Sequence, residues 1–462
     1  MTKYKVATVL AGVLLTTLAH SEQPLSKRPY MSGQSIAIIG AGVSGLSTAR
    51  ALLEQGVDAR LITVIESNPQ AGGKVDSVQV DGRPYELGAM MIIPHRYAPI
   101  EALAKKYNLS TRPVKIKGMD LDITTGKISA KPSLLESAEA IEEFKRYYLQ
   151  YKKHFSHLND PKGFSEIPAA LQKSWPDFVR DEGYQEMDKA FASILSASGF
   201  LRPEDPPQAA QVARMLSPDG LFRIQTDGIQ IFNGRGYQQL WLMEAADLAK
   251  SDVTFLYNST VSSIQRNEQT TSVLIKGGAP LSFDHVMYTG NLEYLPELLD
   301  QASPEEVALY KQVTHYDYRS YIMHIKNLPV TDSAVINFVP TMFTVDAGRP
   351  ILAIKPYADT DVYVVYAYGT PSMSDDTILA NIKSDIAKFP GASVGSVESK
   401  KAWTYFPHVS IKANMQTFFN SAMNEEGRGG VWFTGEATSY TATIEVYEAA
   451  QGMTQLFLQN KL

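Results

Sequence analysis

The sequence predicts an α/β fold, and three consecutive features near its beginning carry that prediction. A short apolar run at 35–39 is typical of a buried strand, and it leads directly into the glycine-rich turn 40–45. The next segment, 46–55, has apolar residues at helical spacing and ends before a glycine. A second apolar run, 59–65, ends in the acidic residue Glu66. Strand, turn, helix and strand together make a Rossmann-like dinucleotide-binding unit.

Each glycine of the turn has its own task in such a unit. Gly40 permits the tight turn, Gly42 lets the backbone approach a pyrophosphate, and Gly45 lets the helix pack on the sheet. The N–H groups at the helix N-terminus favour a phosphate, and Glu66 stands where a carboxylate accepts the ribose hydroxyls. The cofactor-binding residues that we predict in this unit are Gly40, Gly42, Val43, Ser44, Gly45, Glu66 and Ser67.

The composition excludes several function classes. The 462 residues are 44% hydrophobic and 20% charged, with a net charge of −6, which is ordinary for a globular protein and unlike a nucleic-acid binder. The chain contains no cysteine, so disulfides, iron–sulfur clusters, thiol nucleophiles and cysteine-linked cofactors are excluded. His154 and His157 lie three residues apart without an evident third ligand, so we predict no metal site.

The first residues have the layout of a secretory signal peptide. Two lysines precede the apolar stretch 6–19, and a small-residue segment follows, with cleavage expected after Ala19 or Ser21. This apolar stretch is shorter than the roughly 20 residues that a membrane-spanning helix needs. We therefore expect residues 1–21 to be a Sec-type signal peptide. We also expect the protein to be secreted or periplasmic and to have no transmembrane segment.

Further motifs identify the dinucleotide by resemblance. Gly72-Gly73-Lys74 follows the second strand, 84–89 ends in Leu-Gly-Ala, and 430–436 is an apolar strand that closes on Gly-Glu. This set resembles the amine-oxidase-type FAD superfamily. There the Gly-Gly-basic loop lies along the diphosphate, the Gly-Ala step lies near the isoalloxazine, and the last carboxylate holds the ribityl phosphate.

The resemblance implies non-covalently bound FAD and a GR2-type Rossmann-like domain. A final helix over 444–458, capped by Thr443, would direct its N-terminus at the flavin. The cofactor-binding residues added by the resemblance are Gly73, Lys74, Gly88, Ala89, Met90, Val261, Gly435, Glu436, Thr443 and Ile444.

The domain organisation follows from the same resemblance together with local patterns. Aromatic and β-branched runs such as 362–368, separated by turn residues, predict an antiparallel sheet that forms a wall of the substrate domain. The predicted domains are an FAD-binding domain of three separated stretches (34–110, 228–292 and 428–462), a helical insertion or lid (111–227) and a substrate domain (293–427).

Within the superfamily, the sequence looks like the bacterial polyenoic fatty acid isomerases. The similarity rests on 85–91 with Pro94, on the aromatic stretch 403–409 and on 433–436. It implies that oxidised flavin takes a hydride from a bis-allylic carbon and returns it at the other end of the pentadienyl system. The predicted catalytic residues are Tyr405, Phe406 and His408, and Trp403 and Tyr440 are predicted to contact the substrate.

The segment that should anchor a fatty-acid carboxylate differs from the family. The family has an arginine there, whereas the matching stretch 113–118 has lysines, so Lys115, Lys117 and Arg223 are the candidate anchors. A secreted amine oxidase with an aromatic cage remains the alternative, although we identify no lysine of the kind that holds a water beside the flavin. A non-catalytic flavoprotein is the third interpretation. In the first two cases the partner is a small-molecule substrate.

Overall fold

The computed structural model describes residues 25–114, 117–131, 136–197, 205–339, 347–439 and 441–461. The predictions for residues 1–21, Lys115 and Tyr440 lie outside these ranges. The helices are α1 (Val43–Glu54), α2 (Ala98–Lys106), α3 (Ala138–Gln150), α4 (Trp175–Glu182), α5 (Gln185–Ala197), α6 (Ala209–Met215), α7 (Pro218–Asp227), α8 (Gln238–Lys250), α9 (Leu295–Leu298), α10 (Pro304–Tyr310), α11 (Asp375–Ile386), α12 (Met415–Glu425) and α13 (Thr443–Gln459).

The strands belong to two larger sheets and three smaller ones. They are β1 (Ile36–Ile39), β2 (Ile62–Ile65), β3 (Ser77–Val80), β4 (Arg83–Glu86), β5 (Thr111–Val114), β6 (Lys117–Asp122), β7 (Lys127–Ala130), β8 (Ile229–Phe232), β9 (Thr254–Leu256), β10 (Val261–Arg266), β11 (Thr271–Ile275), β12 (Pro280–Phe283), β13 (His285–Tyr288), β14 (Val313–Lys326), β15 (Ala334–Val339), β16 (Pro350–Lys355), β17 (Val362–Tyr368), β18 (Ser393–Val409) and β19 (Val431–Phe433).

A five-stranded parallel sheet carries the glycine-rich turn. Its strand order is β19-β13-β1-β2-β9, so its strands come from parts of the chain that are far apart in sequence. All four residues of β1 are buried, which fits a central parallel strand covered on both faces. Leu46 and Leu52 of α1 and Phe457 of α13 belong to the core on one side of this sheet. This architecture confirms the predicted α/β, Rossmann-like fold class.

A seven-stranded sheet forms the second structural unit, in the order β18-β14-β17-β16-β15-β6-β7. On one face, Ile378, Ile382 and Ile386 of α11 pack against Tyr363 and Val365 of β17. Side chains of the opposite face lie in a core cluster that they share with side chains of α3 to α7, which we call the helical segment. This second face is rich in tyrosine and is available to build a site.

The structure corrects the expected helical character at the start of 111–227. The segments 111–114, 117–122 and 127–130 form β5, β6 and β7, and β6 pairs with β15 in parallel, so the seven-stranded sheet is mixed rather than purely antiparallel. β6 pairs with its neighbour β7 and joins the sheet through β15, which follows more than two hundred residues later and which local patterns do not reveal. The helices α3 to α7 follow, with Tyr147, Trp175 and Phe178 in their shared core. Each helix within the described ranges is too short or too polar to span a membrane.

Candidate active site at the flavin-binding turn

The glycine-rich turn is shaped by two close backbone approaches. A Cβ at Gly45 would lie 1.9 Å from the carbonyl oxygen of Gly40, so α1 packs on the turn only because Gly45 has no side chain. Gly40 itself has a φ of +111°, a conformation that favours glycine. Gly42 differs, because its φ is −78° and its Cβ would meet only the Cα of Gly73, at 3.6 Å. Gly42 therefore leaves open space on the turn that the protein itself does not fill.

The second glycine loop lies directly against this turn. The N–H of Gly72 donates to the carbonyl of Ala41 at 3.0 Å, and Gly42 and Gly72 form an isolated parallel bridge. Gly73 has a φ of +59° and approaches Gly42 so closely that a Cβ there would lie 2.9 Å from its Cα. The two motifs, separated by about thirty residues in sequence, thus form one backbone cradle.

Donor groups of this cradle face outward and suit a diphosphate. Helix α1 begins at Val43 with no side-chain cap and no acidic residue in its first turn, so its first N–H groups are free for an anion. The carboxylate of Glu66 accepts from the N–H of Ala41 at 2.8 Å and from that of Asn68 at 2.8 Å. Ser67 donates to the same carboxylate at 3.1 Å. The residues present fit a dinucleotide, with the phosphates on α1 and the ribose beside Glu66.

Lys74 and Glu436 come together from opposite ends of the chain. The Nζ of Lys74 is ion-paired with Glu436, and it lies 5.8 Å from the centre of the Tyr405 ring. Gly88 packs on the same loop, since a Cβ there would lie 1.9 Å from the carbonyl oxygen of Lys74, and the N–H of Ala89 donates to that oxygen at 3.0 Å. The structure therefore brings together the basic step, the Gly-Ala step and the C-terminal carboxylate.

The remaining predicted cofactor residues occupy three places. Val261 begins β10, two residues after Ser259, whose N–H donates to the carbonyl of Glu66 at 2.8 Å. Met90 is buried directly after the Gly-Ala step. Gly435 has a φ of +150°, and its Cβ would lie 4.0 Å from the hydroxyl oxygen of Ser44, so the C-terminal motif reaches α1.

The start of the last helix differs slightly from the expectation. Ala442 takes the cap position of α13, and Thr443 and Ile444 are its first two helical residues. The hydroxyl of Thr443 is 2.8 Å from the phenol oxygen of Tyr237 and makes no capping hydrogen bond. The competing buried phenol is the physical reason.

An aromatic surface lies beside the Gly-Ala step, on the face of the seven-stranded sheet opposite to α11. The indole Nε1 of Trp403 donates to the carbonyl of Leu87 at 3.0 Å and to the hydroxyl of Ser320 at 3.1 Å. The ring of Tyr318 lies 4.9 Å from that of Tyr405 and 5.5 Å from that of Tyr366. We call Tyr318, Tyr366, Tyr368, Trp403 and Tyr405 the aromatic wall.

The phenols of this wall are neutral at physiological pH. Burial raises the pKa of Tyr318, Tyr366 and Tyr405 above the ordinary value. Tyr318 lies on β14, which pairs with β17 on one side and with β18 on the other. Tyr366 lies on β17 and Tyr405 on β18. The wall is therefore an uncharged aromatic surface whose chemistry suits an apolar ligand.

Phe406 and His408 lie deeper than Tyr405, at a bulge in β18. Both side chains are fully buried, and their rings stack at 4.6 Å beside Tyr316. The Nδ1 of His408 pairs with the carbonyl of Phe406 at 2.8 Å, and its Nε2 is 3.6 Å from Asp205. Although burial raises the pKa of Asp205, His408 holds it below its usual value. The contacts of His408 thus connect the sheet with the helical segment.

The candidate carboxylate anchors that the structure describes lie on the surface. The side chain of Lys117 is 69% exposed and is paired with Asp332 at 2.6 Å. Arg223 is 41% exposed and lies 3.6 Å from Asp227, one turn away on α7. Both side chains are directed at carboxylates on the surface and not at the aromatic wall. Their predicted role followed from sequence position, which does not reveal where a side chain points.

Sequence reasoning missed Arg112 and Glu86. Arg112 is half-buried on β5; its guanidinium lies 4.2 Å from the ring of Tyr357 and donates to the carbonyl of Pro356 at 3.0 Å. The sequence signal for Arg112 was an arginine within a segment that forms a partly buried strand. Glu86 is buried and accepts from the N–H of Tyr237 at 2.8 Å, and burial raises its pKa to about 8. Its position directly before Leu-Gly-Ala was the signal for Glu86.

Comparison with known proteins agrees with this geometry. The sequence matches the family of flavin containing amine oxidoreductases over residues 43–449. A crystal structure of a fatty acid isomerase from P. acnes that produces CLA is similar, with a TM-score of 0.81, 18% identity, and coverage of 92% of this chain and 99% of that chain. A putrescine oxidase redesigned in its cofactor binding has a TM-score of 0.68 and 16% identity, with 92% and 99% covered.

The curated relatives match over shorter stretches. Hydroxyneurosporene desaturase from Rubrivivax gelatinosus is 21% identical over 305 residues, which is 57% of this chain and 54% of the desaturase. Coproporphyrinogen III oxidase from Staphylococcus aureus is 37% identical over 92 residues, 20% of this chain and 17% of that protein. The chain thus spans about half or less of the length of these relatives.

The chain belongs to the flavin containing amine oxidoreductase family. Its cofactor is FAD, which the cradle around Gly42, the carboxylate of Glu66 and the pair of Lys74 and Glu436 are arranged to hold. The protein is a flavoenzyme of the amine oxidase superfamily.

Proposed function

We propose that the protein is an FAD-dependent isomerase that moves the double bonds of polyunsaturated fatty acids into conjugation. Bound FAD supplies hydride abstraction at a bis-allylic carbon and hydride return at the other end of the pentadienyl system, so there is no net oxidation. The fit of the chain to the solved isomerase, with a TM-score of 0.81, supports the proposal alongside the site.

The aromatic wall is the observation that carries the proposal. Tyr318, Tyr366 and Tyr405 present neutral rings, and Trp403 ties this surface to the backbone of Leu87, next to the Gly-Ala step. A polyene chain would lie flat on such a surface, and the rings would exclude water from the reacting carbons. Holding one carbon of the chain at the flavin is the main catalytic task of the protein in this reaction.

The fatty-acid carboxylate needs a basic partner, and Arg112 has the suitable position. Its guanidinium stacks on Tyr357, whose ring lies 5.3 Å from that of Tyr85, one residue before Glu86. One N–H of this guanidinium donates to the carbonyl of Pro356, and a guanidinium has five N–H donors in all, so the group retains the capacity to bind a carboxylate. We propose that Arg112 holds the carboxylate end of the substrate.

An amine oxidase is the second candidate, favoured by the likeness to putrescine oxidase and by the same aromatic rings. Such an enzyme would use a lysine close to the flavin. Lys355 is the one lysine buried among the described residues, and its Nζ donates to the carbonyl of Val330 at 2.6 Å. Its Nζ lies 5.7 Å from the ring of Tyr363, on the sheet face that α11 covers. This lysine points away from the aromatic wall, and Lys74, the lysine in the cradle, is ion-paired with Glu436. Both observations favour the isomerase.

One experiment separates these functions. The purified holoenzyme is mixed with linoleate without oxygen while the ultraviolet and visible spectra are recorded. We expect a conjugated-diene absorbance while the flavin stays oxidised. If amines bleach the flavin, peroxide forms in air and no diene appears, the result contradicts the isomerase and supports the amine oxidase. A protein that takes up no FAD would overturn both.

We also propose that the protein is exported, on the basis of residues 1–21. The full-length chain is expressed in a bacterium, and the N-terminus of the protein from the periplasmic or culture fraction is determined by mass spectrometry. Export predicts a chain that starts after Ala19 or Ser21. An intact Met1 in the cytoplasmic fraction contradicts this proposal.

A further inference from the structure

A buried arginine outside the flavin site has hydrogen-bond donors that the surrounding protein leaves unused. Arg214 of α6 is 2% exposed, and its Nε and Nη1 have no hydrogen-bond partner among the described residues. The guanidinium lies 5.1 Å from the ring of Phe164, so one face is covered by an aromatic side chain. An arginine keeps its charge in proteins, and a buried charge is costly unless an opposite charge compensates it.

The neighbouring carboxylates are already engaged by another arginine. Arg96 donates to Glu448 at 2.8 and 3.0 Å and to Glu445 at 3.0 Å. Burial raises the pKa of Glu445, although the neighbouring Arg96 acts in the opposite direction. Arg96 and Arg214 therefore both lie in the electrostatic field of Glu445 and Glu448. Among the described residues, the arginine that hydrogen-bonds to these carboxylates is Arg96.

Arg214 also borders a cavity. The cavity has a volume of about 300 Å³ and lies between α13 and the helical segment. Asn159 contributes an amide oxygen that also has no partner among the described residues, while its Nδ2 is bonded to Tyr151 at 2.8 Å. The residues that line the cavity are Arg96, Asn159, Pro161, Arg214, Glu448 and Ala449.

We propose that this cavity is a binding site for an oxyanion, a carboxylate or a phosphate group, held by Arg214 with Arg96 beside it. A water molecule would accept a hydrogen bond from Arg214 but would leave its other unused donor without a partner. An oxyanion offers several acceptor oxygens to the unused Nε and Nη1 donors, and it adds negative charge beside a guanidinium that shares the field of Glu445 and Glu448 with Arg96. The site is assembled by α6, α13 and the segment before α2, so binding would join these parts of the molecule.

The test is isothermal titration calorimetry of the holoenzyme with inorganic phosphate, acetate and decanoate at constant ionic strength. We expect saturable binding of one anion per chain in the native protein, and at least tenfold weaker binding in Arg214→Gln. Arg60→Gln is the matched control, because Arg60 is 77% exposed and far in sequence from the cavity. This control should bind as the native protein does.

A second measurement separates binding from a structural role. The melting temperature of the native protein should rise with phosphate concentration, and that of Arg214→Gln should not. If this variant fails to fold, Arg214→Lys provides the same comparison.

The ligands distinguish the two sources of an oxyanion. Decanoate that competes with phosphate identifies the head group of a fatty acid, whereas acetate and phosphate binding without competition by decanoate identifies a small free anion. Either result supports the site. Equal affinity in native protein and Arg214→Gln, or no saturable binding of any of the three anions, overturns it.

Discussion

The two large sheets build their parts of the active site by different means. At the edge of the parallel sheet, the site consists of backbone: two glycine turns so close that a Cβ on Gly42 would lie 3.6 Å from the Cα of Gly73, and the free N–H groups of α1. On the seven-stranded sheet, the site consists of side chains, above all the aromatic wall with Trp403 fixed by two hydrogen bonds. At Gly45 the backbone site has no room for an added Cβ, whereas a side-chain site tolerates graded changes.

The largest effect is expected for Gly45→Ala. The new Cβ would lie 1.9 Å from the carbonyl oxygen of Gly40, so the turn must open or α1 must move off the sheet. We expect a loss of about 3 kcal/mol or more in the free energy of unfolding, together with loss of FAD. Chemical denaturation and the flavin absorbance of the purified protein measure both. A yellow protein of native stability would contradict the backbone description of this site.

Gly42→Ala should separate cofactor binding from folding. Here the Cβ meets only the Cα of Gly73 at an ordinary distance, so the protein can accept the methyl group, but the space for the diphosphate is reduced. We expect a stability of the apoprotein within about 1 kcal/mol of native and an FAD affinity lower by at least tenfold, about 1.4 kcal/mol. Fluorescence titration with FAD checks the affinity. Unchanged affinity would show that the cofactor does not approach Gly42.

Trp403→Phe tests the side-chain site. The variant leaves the carbonyl of Leu87 and the hydroxyl of Ser320 without their donor, which costs about 1–3 kcal/mol. We expect retained FAD and a turnover about tenfold lower, because the wall loses its fixed position. Trp432→Phe is the control, since the N–H of Trp432 has no partner among the described residues. Equal turnover losses in both variants would remove the special role of Trp403.

Glu86 should make the free energy of unfolding depend on pH. The folded protein holds the Glu86 proton up to a pKa of about 8, whereas the ordinary value is 4.5, so between these two pH values the folded state binds more protons than the unfolded chain. The free energy of unfolding should therefore fall as the pH rises through this range, by an amount on the order of a few kcal/mol. Glu86→Gln should flatten this slope in urea denaturation at a series of pH values. The same slope in Glu86→Gln and in a variant of the exposed Glu54 would assign it to other groups.

The smallest effect is expected for Lys117→Gln, compared with Arg112→Gln. Lys117 is exposed and paired with Asp332, so its loss should change the KM for linoleate by less than about twofold. Arg112→Gln should raise that KM about tenfold, with a smaller change in kcat, if the guanidinium holds the carboxylate. Steady-state kinetics of diene formation measures both. A large KM effect for Lys117 and none for Arg112 would return the anchor to the stretch 113–118.

The sequence alone determined the parts of the protein that are made of consecutive residues. The strand–turn–helix unit around 40–45, the acidic end of β2 and the Gly-Gly-Lys loop have fixed spacings, because local backbone geometry requires glycine at stated positions. The fold class followed from the same short segments. The absence of cysteine likewise restricts how the flavin is attached, because no thioether to the ring can form.

Only the tertiary structure decided which distant side chains meet. The pairing of β14 with β17 and β18 places Tyr318 between Tyr366 and Tyr405, and the pairing of β6 with β15 takes 117–122 into a sheet. Whether a basic residue reaches a site or solvent depends on its strand, register and neighbours, as Lys117 and Arg112 show. Such contacts join residues far apart in the chain, and no local spacing rule encodes them.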